Sequence, residues 1–133
     1  MTTMVAFTFD GLAKLARDLT WRASKDASVP EKLFWDTYHI SQDHDFVELV
    51  PQYEVVGPNY RYRFDFAYPR LKVAVEIDGL AYHSGQTAIM RDHRRQRQLE
   101  RDDWRFIRFA AKEVLVDPER CVREVALSIR HLT

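Results

Sequence analysis

The chain has 133 residues, 46% apolar and 13% aromatic, with three Trp, eight Phe, four Gly and five Pro; this is ample material for one ordinary domain with short connections and excludes a disordered chain. Its 20 basic and 20 acidic residues balance, so no long-range field points to a polyanionic partner. The lone Cys121 excludes an internal disulfide and is expected as a non-catalytic, reduced thiol, while no segment reads as a secretory signal or reaches the ~20 apolar residues of a membrane span, so a cytoplasmic protein without membrane contact is expected.

The first periodic segment, Phe9 to Trp21, has Leu12, Leu15, Ala16 and Leu19 at helical spacing behind Asp10 as N-cap. After a polar break, Ser28-Val29-Pro30-Glu31 reads as a capping Ser, a Pro in the first turn and an acidic residue near the positive end of the helix dipole, which predicts a second helix over Pro30 to Tyr38. An acidic loop at Ser41 to Asp45 leads to Phe46 to Val56, where Pro51 marks a bulged or edge strand.

Tyr60 to Tyr68 is the next strand, with Tyr60, Tyr62, Phe64, Phe66 and Tyr68 expected on one face and Arg61, Arg63, Asp65 and Ala67 on the other. Leu71 to Asp78 alternates Val73, Val75 and Ile77 with Ala74, Glu76 and Asp78. A two-residue turn at Pro69-Arg70 would pair Tyr68 with Leu71 and set Asp65 opposite Ala74, on the face that carries Glu76 and Asp78. Gly79 to Gly85 is a loop, and Gln86 to Asp102 a long Arg-rich helix with Ile89, Gln96 and Leu99 on its inner stripe. Trp104 to Phe109 is a fourth strand, and Asp117-Pro118 opens a final helix reaching about His131. The order α-α-β-β-β-α-β-α predicts an α/β fold, a mixed central sheet of about four strands flanked by helices.

The chemistry concentrates on Asp65 and the run Val75-Glu76-Ile77-Asp78-Gly79. Carboxylates on central strands suffer a desolvation cost of several kcal/mol unless they are paired or bind metal. By pattern alone the face is either the solvated side of an antiparallel pair or a site for a hard cation such as Mg²⁺, which takes one or two carboxylates plus water and substrate phosphate. Ala67 and Ala74 look like positions beneath a close neighbour, in keeping with a helix packed on this face. His83, five residues after Asp78, is either a general base or metal ligand or a surface residue of the loop. His39, His44, His93 and His131 show no ligand spacing and read as structural or exposed. The run Arg91 to Gln98 is a solvated helix face or, beside a metal site, a phosphate-binding one through Arg91, Arg94 and Arg95, with Asp92 bridging the arginines or orienting His83.

Taken together, Pro30-Glu31-Lys32-Leu33-Phe34-Trp35, Pro51-Gln52, Phe64-Asp65-Phe66-Ala67-Tyr68-Pro69, Ala74-Val75-Glu76-Ile77-Asp78-Gly79 with His83, Arg91-Asp92 followed after one residue by Arg94-Arg95, and Trp104 to Phe109 resemble the small bacterial domains related to the very-short-patch-repair (Vsr-like) endonuclease, within the PD-(D/E)XK superfamily. The resemblance covers about Val29 to Ala126; it implies a Vsr-like domain over 28–133, with 1–27 as a helical extension outside it. It implies a restriction-endonuclease-like core with Asp65 as the pivotal metal ligand, Glu76 as the acidic residue of the superfamily pattern and Glu31 reaching in from the early helix. Asp78 stands where many members carry Lys and Vsr-like enzymes a His; His83 aligns with their second His, Asp92 with their acidic residue in the following helix, and Gln52 with a polar residue that orients water or a ligand.

The expected activity is Mg²⁺-dependent hydrolysis of DNA phosphodiesters, with Mn²⁺ as a substitute ion, Asp65, Glu76 and Asp78 holding the metal and His83 transferring the proton. Two competing expectations are a catalytically inactive nucleic-acid-binding or protein-interaction module on the same fold, and an RNA-cleaving, toxin-like nuclease.

Overall fold

A computed structural model describes residues 28–41, 48–79 and 85–133. The predicted helix at Phe9 to Trp21, the extension 1–27, most of the acidic loop and His83 lie outside the described residues.

Helix α1 (Val29–Ile40) begins where its capping residues dictate. Ser28 Oγ accepts the Glu31 N–H at 3.4 Å, and a Glu31 carboxylate oxygen accepts the Ser28 N–H at 2.8 Å. This reciprocal box satisfies two otherwise orphaned donors and fixes the direction of the Glu31 side chain. Strands β1 (Val50–Val56), β2 (Arg61–Tyr68) and β3 (Val73–Asp78) form an antiparallel meander; after the crossover helix α2 (Gln86–Arg101), strand β4 (Arg105–Ala110) joins β3 in parallel. A short helix α3 (Ala111–Val116), which the sequence reading did not anticipate, precedes α4 (Pro118–Leu132). The Asp117 side chain caps α4 by accepting the Arg120 N–H at 3.1 Å.

The sheet divides two apolar cores. Phe34, Trp35 and Tyr38 of α1 and Cys121, Val122, Val125 and Ile129 of α4 close on Phe66, Tyr68, Val73, Val75, Ile77 and Phe109. On the opposite face Leu99 of α2 and Trp104 cover Phe64, Ala67 and Ala74, so the two alanines do lie beneath a close neighbour. The only buried residue of α2 is Leu99; Ile89, expected on its inner stripe, is 37% exposed. This is the restriction-endonuclease-like α/β arrangement expected, a mixed four-stranded sheet with helices on both faces.

Two expectations about β2 are corrected. The β2–β3 connection is a 3₁₀ turn at Pro69–Leu71 closed by Lys72 in the left-handed region (φ 55°), so Tyr68 pairs with Val73 and Ala67 with Ala74. Relative to a two-residue turn the register slips by two positions, which preserves the face of every side chain because the strand period is two. The aromatic residues, however, do not share a face: Tyr60, Tyr62 and Phe64 belong to the α2 side, whereas Phe66 and Tyr68 belong to the other core. The alternation inverts at Asp65, opposite the point where β1 carries Gln52 at φ 52° between Pro51, paired with Phe66, and Tyr53, paired with Phe64.

Phe66 is fully buried, with its ring centroid 5.1 Å from Phe34 and 5.5 Å from Trp35. Phe66→Ala is expected to cost about 3–5 kcal/mol. Denaturant unfolding checks this through a lowered midpoint at unchanged slope.

Candidate active site

The last backbone pair between β2 and β3 joins Phe66 to Val75, and continuing that register brings Asp65 opposite Glu76. There, side chains replace the ladder. Asp65 Oδ2 accepts the Ile77 N–H at 2.7 Å, and Glu76 Oε2 accepts the Asp65 N–H at 3.4 Å. Each strand thus lends a carboxylate to the other's backbone where the two part company.

Glu76 is 9% exposed, on the α2 face of the sheet. Arg95 of α2 reaches it at 3.3 Å while also donating to the Arg63 carbonyl at 3.3 Å and lying over the Tyr62 ring, 4.6 Å from its centroid. From α1, Glu31, 7% exposed, shares a side-chain hydrogen bond with Asp65. Glu31 is pushed up from 4.5 to about 8 by burial first, then by the hydrogen bond and the charge of Asp65, against a lowering by Ser28. Glu76 is likewise pushed up to about 8, by burial and then by the nearby Asp65 charge, with Arg95 and Arg108 pulling the other way. Both shifts share their causes in the same order, burial first and then the neighbouring Asp65 carboxylate.

Asp78 extends the same face but is exposed, and its Oδ1 pairs with Arg108 Nη1 of β4 at 3.2 Å. Arg108 Nε donates to Gln96 Oε1 at 2.8 Å, and the guanidinium lies 5.3 Å from the Phe106 ring centroid. Asp78, Gly79, Asp92, His93, Gln96, Arg108 and Ala110 line a cleft of about 430 Å³. Asp92 therefore opens onto the same cleft as Asp78, and so does His93, which the sequence reading set aside. Gln52, opposite Asp65, holds its left-handed φ with a buried side-chain amide nitrogen that has no hydrogen-bond partner among the described residues. A strained backbone and an orphaned donor at one position mark a place where packing alone does not explain the residue.

The structure thus brings Glu31, Asp65 and Glu76 together, sets Asp78 and Asp92 on the adjoining cleft and leaves Arg91 and Arg94 exposed on α2. Arg95, expected on phosphate, turns inward to Glu76. Among the described residues no three His, Cys, Asp or Glu side chains are grouped closely enough to hold a metal ion. With Asp65 on the Ile77 amide and Glu76 on Arg95, the carboxylates satisfy one another and the backbone in place of a cation. Their donor chemistry nonetheless fits one: buried hard oxygens whose charged form the surroundings disfavour and a cation would favour. The residue that sequence reasoning missed is Arg108. Its signal was present, since alternation in Phe106-Ile107-Arg108-Phe109 turns it away from the core that holds Ile107 and Phe109. Cys121 is remote from this chemistry; burial pushes its thiol up to about 11.

Three comparisons bear on this geometry. The model of a restriction endonuclease-like family, REase_MTES_1575, matches residues 37–129, a span that starts after Glu31. Two uncharacterized proteins of Mycobacterium tuberculosis, from strains CDC 1551 / Oshkosh and H37Rv, are each 30% identical over 91 residues, 68% of this chain and 32% of theirs. The chain therefore spans about a third of the length of these relatives. The catalytic domain of the homing endonuclease I-Bth0305I superposes with a TM-score of 0.53 at 19% identity, covering 80% of this chain and 94% of that one, a likeness of fold.

The two raised carboxyls set the sign of a pH effect. In chelator, the fold keeps protons on Glu31 and Glu76 up to about pH 8, whereas the unfolded chain releases them near 4.5. Folded protein binds more protons through that window, so the stability these groups contribute is full below about pH 4.5 and is lost as pH rises to about 8. Glu31→Gln, which keeps an oxygen to accept the Ser28 N–H, is expected to flatten this decline. Melting temperatures of both proteins in EDTA across the window check it.

Proposed function

This chain belongs to the restriction endonuclease-like REase_MTES_1575 family, and from that premise we propose that it is a metal-dependent endonuclease hydrolysing DNA phosphodiester bonds. The observation that carries the reading is the exchange of carboxylates between Asp65 and Glu76 at the parting of β2 and β3, with Glu31 pressed against it. Burial of acidic groups without enough positive charge is costly, and a site that keeps them is explained by the cation they would share.

Asp65 and Glu76 would hold the ion, Asp78 would add a carboxylate from the next position on the same face, and Glu31 would act through Asp65. When bound, Mg²⁺, or Mn²⁺ in its place, supplies Lewis-acid activation of the phosphodiester and of the attacking water. Arg95 keeps Glu76 oriented by bridging it to the Arg63 carbonyl. Arg91 and Arg94, exposed on α2, bind flanking phosphates. His83, which follows β3 in the sequence, would carry the proton at the leaving or attacking oxygen, with Asp92 as the residue that orients it. Gln52 offers its unpartnered amide to a water or phosphate oxygen.

The pairing of Asp78 with Arg108 favours a second reading. A position where the superfamily usually carries Lys holds a carboxylate already neutralised by a neighbour, as suits a nucleic-acid-binding module without chemistry. Plasmid nicking separates the two. Cleavage with Mg²⁺ or Mn²⁺ is expected, with none in EDTA and none by Asp65→Ala; a wild-type protein inert on every DNA form, or an Asp65→Ala variant at full rate, sinks the enzyme reading. Labelled RNA digested beside DNA tests the third reading, a toxin-like ribonuclease.

Gln52 gives an independent check. Gln52→Met keeps the side-chain volume and removes the orphaned donor, so it is expected to stabilise the fold by about 1 kcal/mol while slowing cleavage. Thermal unfolding and initial rates, measured on the same preparation, must move in opposite directions.

A further inference from the structure

Arginine 108 is held in a way that neutralising Asp78 does not require. Its Nη1 meets Asp78 at 3.2 Å, its Nε meets Gln96 Oε1 at 2.8 Å and its plane rests on Phe106. Gln96 is in turn fixed by donating to Glu100 at 2.8 Å. The remaining terminal nitrogen, Nη2, has no hydrogen-bond partner among the described residues, and the side chain lines the cleft shared with Asp78, Asp92 and His93. A surface arginine that only pairs with a carboxylate gains little from such triple support, and ordering a long side chain costs rotamer entropy. Support of this kind is what a cation needs if it is to present a fixed hydrogen-bond donor to a ligand.

The ligand's charge follows from the surroundings. Register places Arg108 directly beside Glu76, so the guanidinium sits next to the carboxylate pair. Of the two arginines there, Arg95 already commits one terminal nitrogen to both Glu76 and the Arg63 carbonyl. Arg108 alone of the two opens onto the cleft. We propose that Arg108, held by Gln96 and Asp78, binds a non-bridging oxygen of the substrate phosphate in this cleft. The inference rests on the nuclease reading and deepens it: the positive charge absent at position 78 is supplied from the parallel neighbouring strand. Guanidinium suits the task because its donors form a rigid planar fork that matches phosphate geometry. Gln96 is then a positioning residue, acting through Arg108.

The test uses Arg108→Gln against Arg105→Gln, an equal charge loss on the same strand beside Val73, Leu127 and His131, on the sheet's other face. Binding of a DNA duplex in EDTA is followed across salt concentrations, cleavage is measured with Mg²⁺, and melting temperatures confirm that both variants fold. Arg108→Gln is expected to reduce the slope of log affinity against log salt by about 1. It is also expected to lower kcat/KM by about 10²-fold, while Arg105→Gln matches wild type in both. Arg108→Lys should restore the salt slope but recover the rate only in part, since an ammonium puts its donors on one nitrogen and lacks the planar fork that spans Gln96, Asp78 and phosphate. Gln96→Ala should keep the salt slope and lower kcat, because the charge stays while its aim is lost. An Arg108→Gln variant indistinguishable from Arg105→Gln in slope and rate overturns the proposal even where wild type cuts DNA. A wild type that binds with an Arg108-dependent slope yet cuts nothing supports it and overturns the enzyme reading instead.

Discussion

Everything in this domain turns on one exchange of hydrogen bonds, in which Asp65 and Glu76 each accept an N–H from the other's strand at the point where β2 and β3 stop pairing. Backbone donors inside a sheet must be satisfied, and a ladder that ends between buried layers leaves donors with no water to turn to. Here carboxylates take the place of the missing carbonyls. The arrangement terminates the ladder without orphaning the Ile77 amide, and it fixes two acidic side chains at a spacing set by the sheet. The same feature that completes the fold therefore builds the site, and the remaining elements can be understood by what they bring to it.

Helix α1 brings Glu31, and it does so through its cap. The carboxylate that completes the capping box also meets Asp65, so the helix start and the acidic cluster are positioned by one side chain. Phe34, Trp35 and Tyr38 then lock the helix against Phe66 and Tyr68. That contact is available only because β2 inverts its alternation at Asp65. A regular strand would send Phe64 and Phe66 to one core; this strand feeds both. The inversion is shared with β1, where Gln52 takes the left-handed conformation opposite, a region that costs an L-residue about 1–2 kcal/mol.

What could be read from the sequence divides along the same line. Features set by local chemistry were legible: Ser28, Pro30 and Glu31 at a helix start, Asp117-Pro118 at another, the period-two runs of β3 and β4, and Ala67 with Ala74 beneath a neighbour. The fold class followed from their order, and Asp65 with Glu76 from acidic residues placed inside apolar strands. Features set by a twist or by a pairing between distant segments were not. The inversion at Asp65 depends on a single backbone torsion at Gln52, thirteen positions away, and nothing in Phe64-Asp65-Phe66 reports it. The 3₁₀ turn at Pro69–Leu71 moved the register by two, an error that happens to leave every face unchanged. Arg108 was visible as an outward residue of a strand, but its meeting with Asp78 needs the parallel register of β3 and β4, which no local pattern encodes.

Helix α2 decides how these parts hold together. Its only buried residue is Leu99, so along most of its length it touches the sheet through polar groups. Two of them are consecutive: Arg95 fixes Glu76, and Gln96 fixes Arg108. One turn of helix thus sets the orientation of a carboxylate in the buried cluster and of the arginine at the cleft. A small rotation of α2 about Leu99 would release both, because charged and amide hydrogen bonds lose strength steeply with misalignment whereas a single apolar contact tolerates it. Asp65, held on the Ile77 amide, and Glu31, held on the Ser28 amide, depend on neither contact. Asp65 and Glu31 are therefore anchored on backbone amides and Arg95 on a backbone carbonyl as well as Glu76, whereas Arg108 is held only by other side chains and owes its place to Gln96 and Asp78.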